Sequence, residues 1–285
     1  MTGIAEWQAR VGRAWADEWQ RTDRSFAGLT PQLLQAIAAQ PGTRVLDLGC
    51  GAGELSLAVA DARPDAQVVG VDVSADLVAV AQARGAGRAK FHHADAGAFV
   101  DPAGPPDLLI SRHGVMFFAD PPMVFRHLAH HAAPGARLVF SCFRTPAENP
   151  WAGLFAPLFP PLPPAEAVAF SAGPFAFADP AHVERCLAGW TGLRFTSVDF
   201  SYVAGAGDDP LADAIGFFSR IGPAASRLAA LDGTARAELQ RAMAAVLAPH
   251  LAGGKVAFPA AAWIVTAISE HSDRANPLVP RPVLA

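Results

Sequence analysis

A layered α/β fold, with a parallel sheet covered by helices on both faces, is predicted by three features of this 285-residue chain. Short apolar runs alternate with helix-compatible stretches through the first half, the pattern that strand-helix-strand crossovers impose. The first run ends in a cluster of glycines, as a strand does when it turns sharply into a helix. Proline-dense sequence then breaks the alternation, so the second half carries an elaboration on the sheet.

Residues 1–40 read as helical: Trp7, Val11, Trp15 and Trp19 fall at near-helical spacing, and Thr30-Pro31 opens a second helix through Leu33, Leu34 and Ile37. Five strands follow within residues 41–145, at RVLDLG (44–49), QVVGVDVS (67–74), FHHADA (91–96), DLLISR (107–112) and RLVFSCFR (137–144). Residues 146–178 interleave prolines with Trp151, Phe155, Phe159, Phe170, Phe175 and Phe177, which predicts a structured loop or short broken helices with an oily face. Within 179–285, Asp179-Pro180 caps a helix running to about Ala188. LRFTSVDFSYV (193–203) then alternates like a strand, and VAFPAAAWIVTAIS (256–269) contains another. Two helices, near 210–221 and 224–248, lie in the insertion 205–252 between them. No internal repeat is visible, and the proline-rich terminal ANPLVPRPVLA carries no assigned element.

The composition narrows the function. With 52% apolar and 17% charged residues the chain describes a packed globular protein, and no apolar run reaches the roughly eighteen residues of a membrane span. Its first residues carry Trp, Glu and Asp where a secretion signal would need a basic start and an apolar run, so the expected location is cytoplasmic. A formal charge of -4 argues against a nucleic-acid partner, because that binding depends on Lys and Arg displacing counterions. Cys50, Cys142 and Cys186 are odd in number and far apart, which gives neither a disulfide framework nor a zinc spacing. His127, His130 and His131 could share a helix face, but no carboxylate base accompanies them and Pro134-Gly135 follows; no metal is expected.

Residues 47–53 read Asp-Leu-Gly-Cys-Gly-Ala-Gly, directly after an apolar strand and before the helix-like ELSLAVADA. Asp72 ends the next strand, where a ribose diol would be gripped. A dinucleotide fingerprint, G-x-G-x-x-G, is matched at Gly49 and Gly51 but meets Glu54 at its last position. Asp47 and Glu54 bracket the turn, which repels a pyrophosphate and suits a cationic ligand.

On these residues the chain resembles the class I S-adenosylmethionine-dependent methyltransferases over roughly 30–145. The family's acid-x-G-x-G-x-G motif is matched without a gap by Asp47, Gly49, Gly51 and Gly53; its ribose-binding acid falls on Asp72, and its adenine-side acid on Asp95 beside Ala96. Its fourth- and fifth-strand segments are recognisable as PDLLISRHGVMFFADPP and HAAPGARLVFSCFR. The resemblance implies a Rossmann-like, seven-stranded, mostly parallel sheet with a helical and loop cap, in which 193–203 is strand six and 256–269 an antiparallel strand seven between five and six. It implies S-adenosyl-L-methionine as cofactor, bound by Asp47, Gly49, Cys50, Gly51, Gly53, Asp72, Val73, Asp95, Ala96 and Ser111, and a small-molecule methyl acceptor.

Methyl transfer from a sulfonium is an in-line displacement, so the protein chiefly aligns the reactants and excludes water. The fourth strand ends at Ser111-Arg112-His113, at the carboxyl edge where ligands of such sheets sit. His113 is the candidate base, since imidazole titrates near working pH; a packing or cofactor-shelf role is the alternative. His113, Phe117, Trp151 and Phe155 are the candidate acceptor-binding residues. The stretch 146–178 and the insertion 205–252 read jointly as a cap. In it Trp151, Leu154, Phe155, Phe159, Phe175, Phe177, Phe217 and Phe218 either line a pocket for a largely apolar acceptor or bury the cap, or form a homodimer face. Trp15 and Trp19 either close over the donor or pin their helix to the sheet. The acceptor, and whether its oxygen, nitrogen or carbon is methylated, stay open. A non-catalytic S-adenosylmethionine binder and an NAD-dependent oxidoreductase are the rival readings.

Overall fold

The computed structural model describes residues 4–160, 172–222 and 224–270. Pro161, Pro163, Pro164 and Phe170 of the expected cap loop, and the proline-rich terminal stretch, lie outside the described residues. The chain opens with helices α1 (Ile4–Trp7), α2 (Arg10–Asp17), α3 (Trp19–Ser25) and α4 (Thr30–Ala38). Then come β1 (Arg44–Leu48), α5 (Glu54–Ala62), β2 (Gln67–Asp72), α6 (Ala75–Gly85), β3 (Lys90–His93), β4 (Leu108–Arg112), α7 (Pro121–His131) and β5 (Arg137–Phe143). The second half holds α8 (Pro180–Cys186), β6 (Trp190–Gly205), α9 (Pro210–Arg220), α10 (Ala225–Ala229), α11 (Gly233–Leu247), β7 (Leu251–Ala252) and β8 (Lys255–Ser269).

The sheet runs β3-β2-β1-β4-β5-β8-β6, with the short β7 pairing β8 in a hairpin. β1 to β5 are parallel, and β8 lies antiparallel between β5 and β6, the order expected from the resemblance. Leu46, Leu48, Val71, Leu108, Leu109, Ile110, Leu138, Val139 and Phe140 are all buried in these strands, so the central strands are apolar on both faces as helices above and below require. The strand order reverses between β1 and β4, which opens a crevice at their carboxyl ends.

Two stretches differ from the expectation. The helical N-terminal segment is three short helices before α4, broken at Gln8–Ala9 and at Glu18. The breaks bend it around the crevice, with Trp7 edge-on to Phe117 (centroids 5.1 Å) and Trp19 beneath the Arg84 guanidinium (3.8 Å). The helix expected over 224–248 is two, α10 and α11, because Asp232 caps a new helix by accepting a hydrogen bond from the Ala235 amide at 2.9 Å. In the proline-rich stretch, the single 3-10 turns at Pro146–Glu148, Pro150–Ala152 and Ala156–Leu158, the second of which carries Trp151, are the short broken helices expected there.

These additions meet over the crevice. Arg21 and Arg24 of α3 both pair with Asp213 of α9, at 2.8 and 2.7 Å, and Arg220 of α9 pairs with Glu18 at 2.9 Å. The 146–160 loop joins them through Phe155, edge-on to Phe218 of α9 at 5.2 Å. Among the described residues no helix is long and apolar enough to cross a membrane.

Candidate active site

A cavity of about 600 Å³ occupies the crevice. Its floor is the turn after β1, where Gly49, Gly51 and Gly53 have φ of +65°, +53° and +85°, a region in which a side chain is strained. Two of these glycines do different work. A Cβ on Gly51 would project into open space, so the backbone there is bare toward the cavity. One on Gly53 would come within 3.0 Å of Ala81 and Phe91, so this glycine lets α5 pack on α6.

Asp72 ties the turn to the next strand: its carboxylate accepts from the Gly51 and Ser74 amides, each at 2.9 Å. Burial raises its pKa, against the lowering effect of those amides. Asp47 is fully buried at the end of β1; Oδ2 accepts a 2.5 Å hydrogen bond from Ser56, while Oδ1 has no partner. Burial pushes Asp47 up to about 7, although Ser56 and the Arg112 charge favour its ionised form. Asp95 sits at the rim, its side chain accepting from the Gly97 amide at 2.8 Å, with Ala96 buried beside it.

Across the floor, Arg112 leaves the end of β4 and pairs with Glu54 of α5 and with Asp23 of α3, the latter at 3.2 Å. Asp23 also holds Arg84 of α6 at 2.8 Å. One carboxylate thus fastens the N-terminal helices to both sides of the crevice. Asp23, Asp47, Asp72, Asp95 and Asp120 line the cavity, and Arg112 is the one cationic side chain among its described lining residues.

The other half of the cavity is aromatic. Phe26, Phe143, Trp151, Phe175, Tyr202 and Phe218 form its wall, with Trp151 stacked flat on Tyr202 at 4.8 Å and Phe143 against Trp151 at 5.0 Å. The Trp151 indole N–H is satisfied by Asn149 Oδ1 at 3.3 Å, so the ring presents carbon to the cavity. His113 lies where the two halves join, between Phe26 and Phe143. Burial, and then the Arg112 charge, hold its pKa well below the usual imidazole value.

Of the residues singled out in the sequence, Asp47, Gly49, Cys50, Gly51, Asp72, Val73, Asp95, Ala96, His113, Phe117 and Trp151 come together around this cavity. Gly53, Ser111 and Phe155 stand behind its wall. Ser111 donates from Oγ to the Leu48 carbonyl at 2.6 Å and accepts from the Gly114 amide at 3.2 Å, stapling the turn after β4 to the glycine turn. Phe155 is buried against Phe218. Phe177 is buried against Phe125 and Phe140, also away from the cavity. Sequence reading missed Asp23, Phe26, Arg112 and Tyr202 in the wall. Arg112 had a signal, its place at the carboxyl end of a central strand, whereas Asp23 meets it across 89 positions and had none.

A methyltransferase-domain profile matches residues 18–195. Demethylmenaquinone methyltransferase of Thermus thermophilus is 35% identical over 109 residues, 37% of this chain and 50% of that protein. Trans-aconitate 2-methyltransferase of Deinococcus radiodurans is 36% identical over 106 residues, 37% of this chain and 40% of that protein. The chain therefore spans half or less of the length of these curated relatives. In fold it is similar to phosphoethanolamine N-methyltransferase 2 of Haemonchus contortus, solved with phosphomonomethylethanolamine and S-adenosylhomocysteine. The TM-score is 0.50 at 17% identity, covering 91% of this chain and 57% of that one.

Proposed function

Because the chain belongs to the methyltransferase-domain family of S-adenosylmethionine-dependent enzymes, we propose that it transfers a methyl group to a small, largely apolar acceptor held against its aromatic wall. The donor half of the cavity fits that cofactor. Asp47 Oδ1 is a buried carboxylate oxygen without a partner, Gly51 leaves bare backbone, and acidic side chains predominate. A cationic ligand answers the first and third, and a pyrophosphate is repelled by both, while the bare backbone admits either. Asp47 would hold the amino-acid end, Asp72 the ribose, and Asp95 with Ala96 the adenine side. Bound S-adenosylmethionine supplies an electrophilic methyl group on a positively charged sulfur.

This chain's own residues bind, orient and exclude water. The Asp23 bridge and the Arg21, Arg24 and Arg220 pairs hold the N-terminal helices across the opening, so the reacting atoms meet in a low-dielectric space. The aromatic wall places a flat acceptor by stacking and area burial. The single observation that carries the acceptor class is the contrast in wall chemistry: the one cation among the described lining residues, Arg112, is already committed to Asp23 and Glu54. An acceptor bearing carboxylates, such as the one named for the Deinococcus relative, finds no free positive partner among the described lining residues. A ring-bearing acceptor, such as the one named for the Thermus relative, finds a wall of rings.

The test is label transfer. Purified protein with methyl-labelled S-adenosylmethionine is offered planar phenols and quinols, isoprenoid alcohols, and small carboxylic acids. The proposal expects label in the first two groups; label confined to the acids overturns the acceptor class. No label with any acceptor, in a protein that still binds S-adenosylhomocysteine, favours the non-catalytic binder.

A further inference from the structure

We propose that Ser141 fixes His113 as an N–H donor to a carbonyl or phenolic oxygen of the acceptor, an assignment that rests on the methyl-transfer reading above. His113 is the first residue past β4 and has φ of +60°, a left-handed conformation that is uncommon for a non-glycine residue. One residue of β5 holds it there twice: the His113 amide donates to the Ser141 carbonyl at 3.1 Å, and ring Nδ1 lies 2.8 Å from Ser141 Oγ.

The direction of the second bond follows from what else is within reach. Ser141 is fully buried, and Nδ1 is the one side-chain hydrogen-bond partner of its hydroxyl among the described residues. If Nδ1 carried the ring proton, it would donate to Oγ and leave the hydroxyl hydrogen with no acceptor. The other tautomer moves the unpaired hydrogen to Nε2, at the cavity wall where a ligand oxygen can meet it, whereas Ser141 is not among the described lining residues and its hydroxyl hydrogen would stay unpaired with ligand bound as well. Ser141 therefore donates to Nδ1, and the hydrogen of the neutral ring sits on Nε2. Burial and the neighbouring Arg112 charge keep the ring neutral.

Nε2 is itself buried and has no partner, in a residue that is 6% exposed and lines the cavity. A buried polar atom in that state calls for an explanation, and a ligand atom with a lone pair supplies one. The rings around it are those of Phe26 and Phe143, with centroids 4.9 and 4.2 Å away, and Trp151 and Tyr202 continue the same wall. The ligand is thus a flat apolar ring carrying one oxygen that accepts from Nε2. In this arrangement His113 anchors the acceptor and does not take its proton, and Ser141 is a positioning residue acting through His113.

Nitrogen NMR of histidine-labelled protein tests the first half directly, with His113→Asn identifying the resonance among nine histidines. The expected spectrum of the free protein has His113 protonated at Nε2 and bare at Nδ1; Ser141→Ala shifts the proton toward Nδ1, and Ser141→Thr restores the wild-type pattern. A wild-type ring protonated at Nδ1, or at both nitrogens near neutral pH, overturns the assignment without use of any variant. The second half is read from 2-naphthol binding to protein saturated with S-adenosylhomocysteine. His113→Leu is expected to weaken it about tenfold, as for one lost hydrogen bond. His113→Gln, which keeps an N–H near the Nε2 position, should stay within about threefold of wild type. Equal affinity in all three proteins, or no saturable 2-naphthol binding, overturns the acceptor role. Failure to bind S-adenosylhomocysteine instead removes the methyl-transfer reading and leaves the tautomer result standing.

Discussion

Donor affinity should depend on pH through Asp47. This carboxyl is buried under the glycine turn, flanked by Asp72 and Cys50, with Arg112 as the nearby cation and Ser56 bonded to one oxygen. Burial lifts its pKa to about 7 in the free protein, so near neutrality it is only about half ionised. If Oδ1 receives the donor's ammonium, the ionised form is the one that binds, and lowering the pH makes the donor compete with a proton. For a single group at that value, the apparent dissociation constant is nearly flat above pH 8 and about tenfold weaker at pH 6. Asp47→Asn removes both the charge and the titration: the donor should bind more weakly by roughly 1.5–3 kcal/mol, the range for a hydrogen bond to a charged group, with a flat profile. Calorimetric titration of S-adenosylmethionine between pH 6 and pH 8.5, in wild type and variant, reads both effects. A wild-type affinity constant across that range, or an Asp47→Asn protein that keeps the slope, refutes the assignment of the ammonium to Asp47.

The free protein should feel the same group in its stability. Its folded pKa lies above the unfolded value of about 3.9, so the native state binds more protons in that interval. The contribution is present at the acidic end and is lost as pH rises from about 4 through about 7; thermal melts of Asp47→Asn should lack this component, and superimposable pH profiles would argue against it. Asp72→Ala should weaken S-adenosylhomocysteine by about tenfold or more, because it removes a sugar partner and the carboxylate that holds the Gly51 amide; unchanged affinity removes Asp72 from the site. Asp23→Asn severs the link from Arg112 and Arg84 to the N-terminal helices, and should raise hydrogen exchange across residues 7–25 and speed donor release; unaltered exchange there shows that packing alone holds the segment. Trp151→Ala should cost about 3–5 kcal/mol of stability, as for a buried aromatic, and weaken 2-naphthol far more than S-adenosylhomocysteine; equal losses would place Trp151 outside the acceptor half.

The donor half was legible because its geometry is local. A strand that ends in Asp47-Leu48-Gly49, followed by glycines and then an acid at the end of the next strand, can bring Gly51 and Asp72 together only at the crevice. The same locality explains why Gly53 and Ser111 were placed in the wall when they stand behind it. Their neighbours in sequence face the cavity, and only packing against Ala81 or Leu48 shows which way each one turns. The roof was not legible. Asp213 of α9 reaches Arg21 across 192 positions, and no spacing in the sequence encodes such a pair. Helix breaks were half-visible: Asp232-Gly233 is a recognisable start, yet the alanine-rich run on either side masks it. For the aromatic residues of the cap the sequence leaves a pocket lining, a buried packing face and a dimer face open, and apolar character alone does not choose between them. Trp151 and Phe175 line the cavity, while Phe155 and Phe177 pack away from it.

The most direct measurement of the whole account is a calorimetric titration of the purified protein with S-adenosylhomocysteine at pH 8, where Asp47 is ionised, alongside NADH. A cradle of bare backbone and carboxylates predicts saturable one-to-one binding of the former and none of the latter. Heat with NADH alone, or with neither ligand, would contradict it.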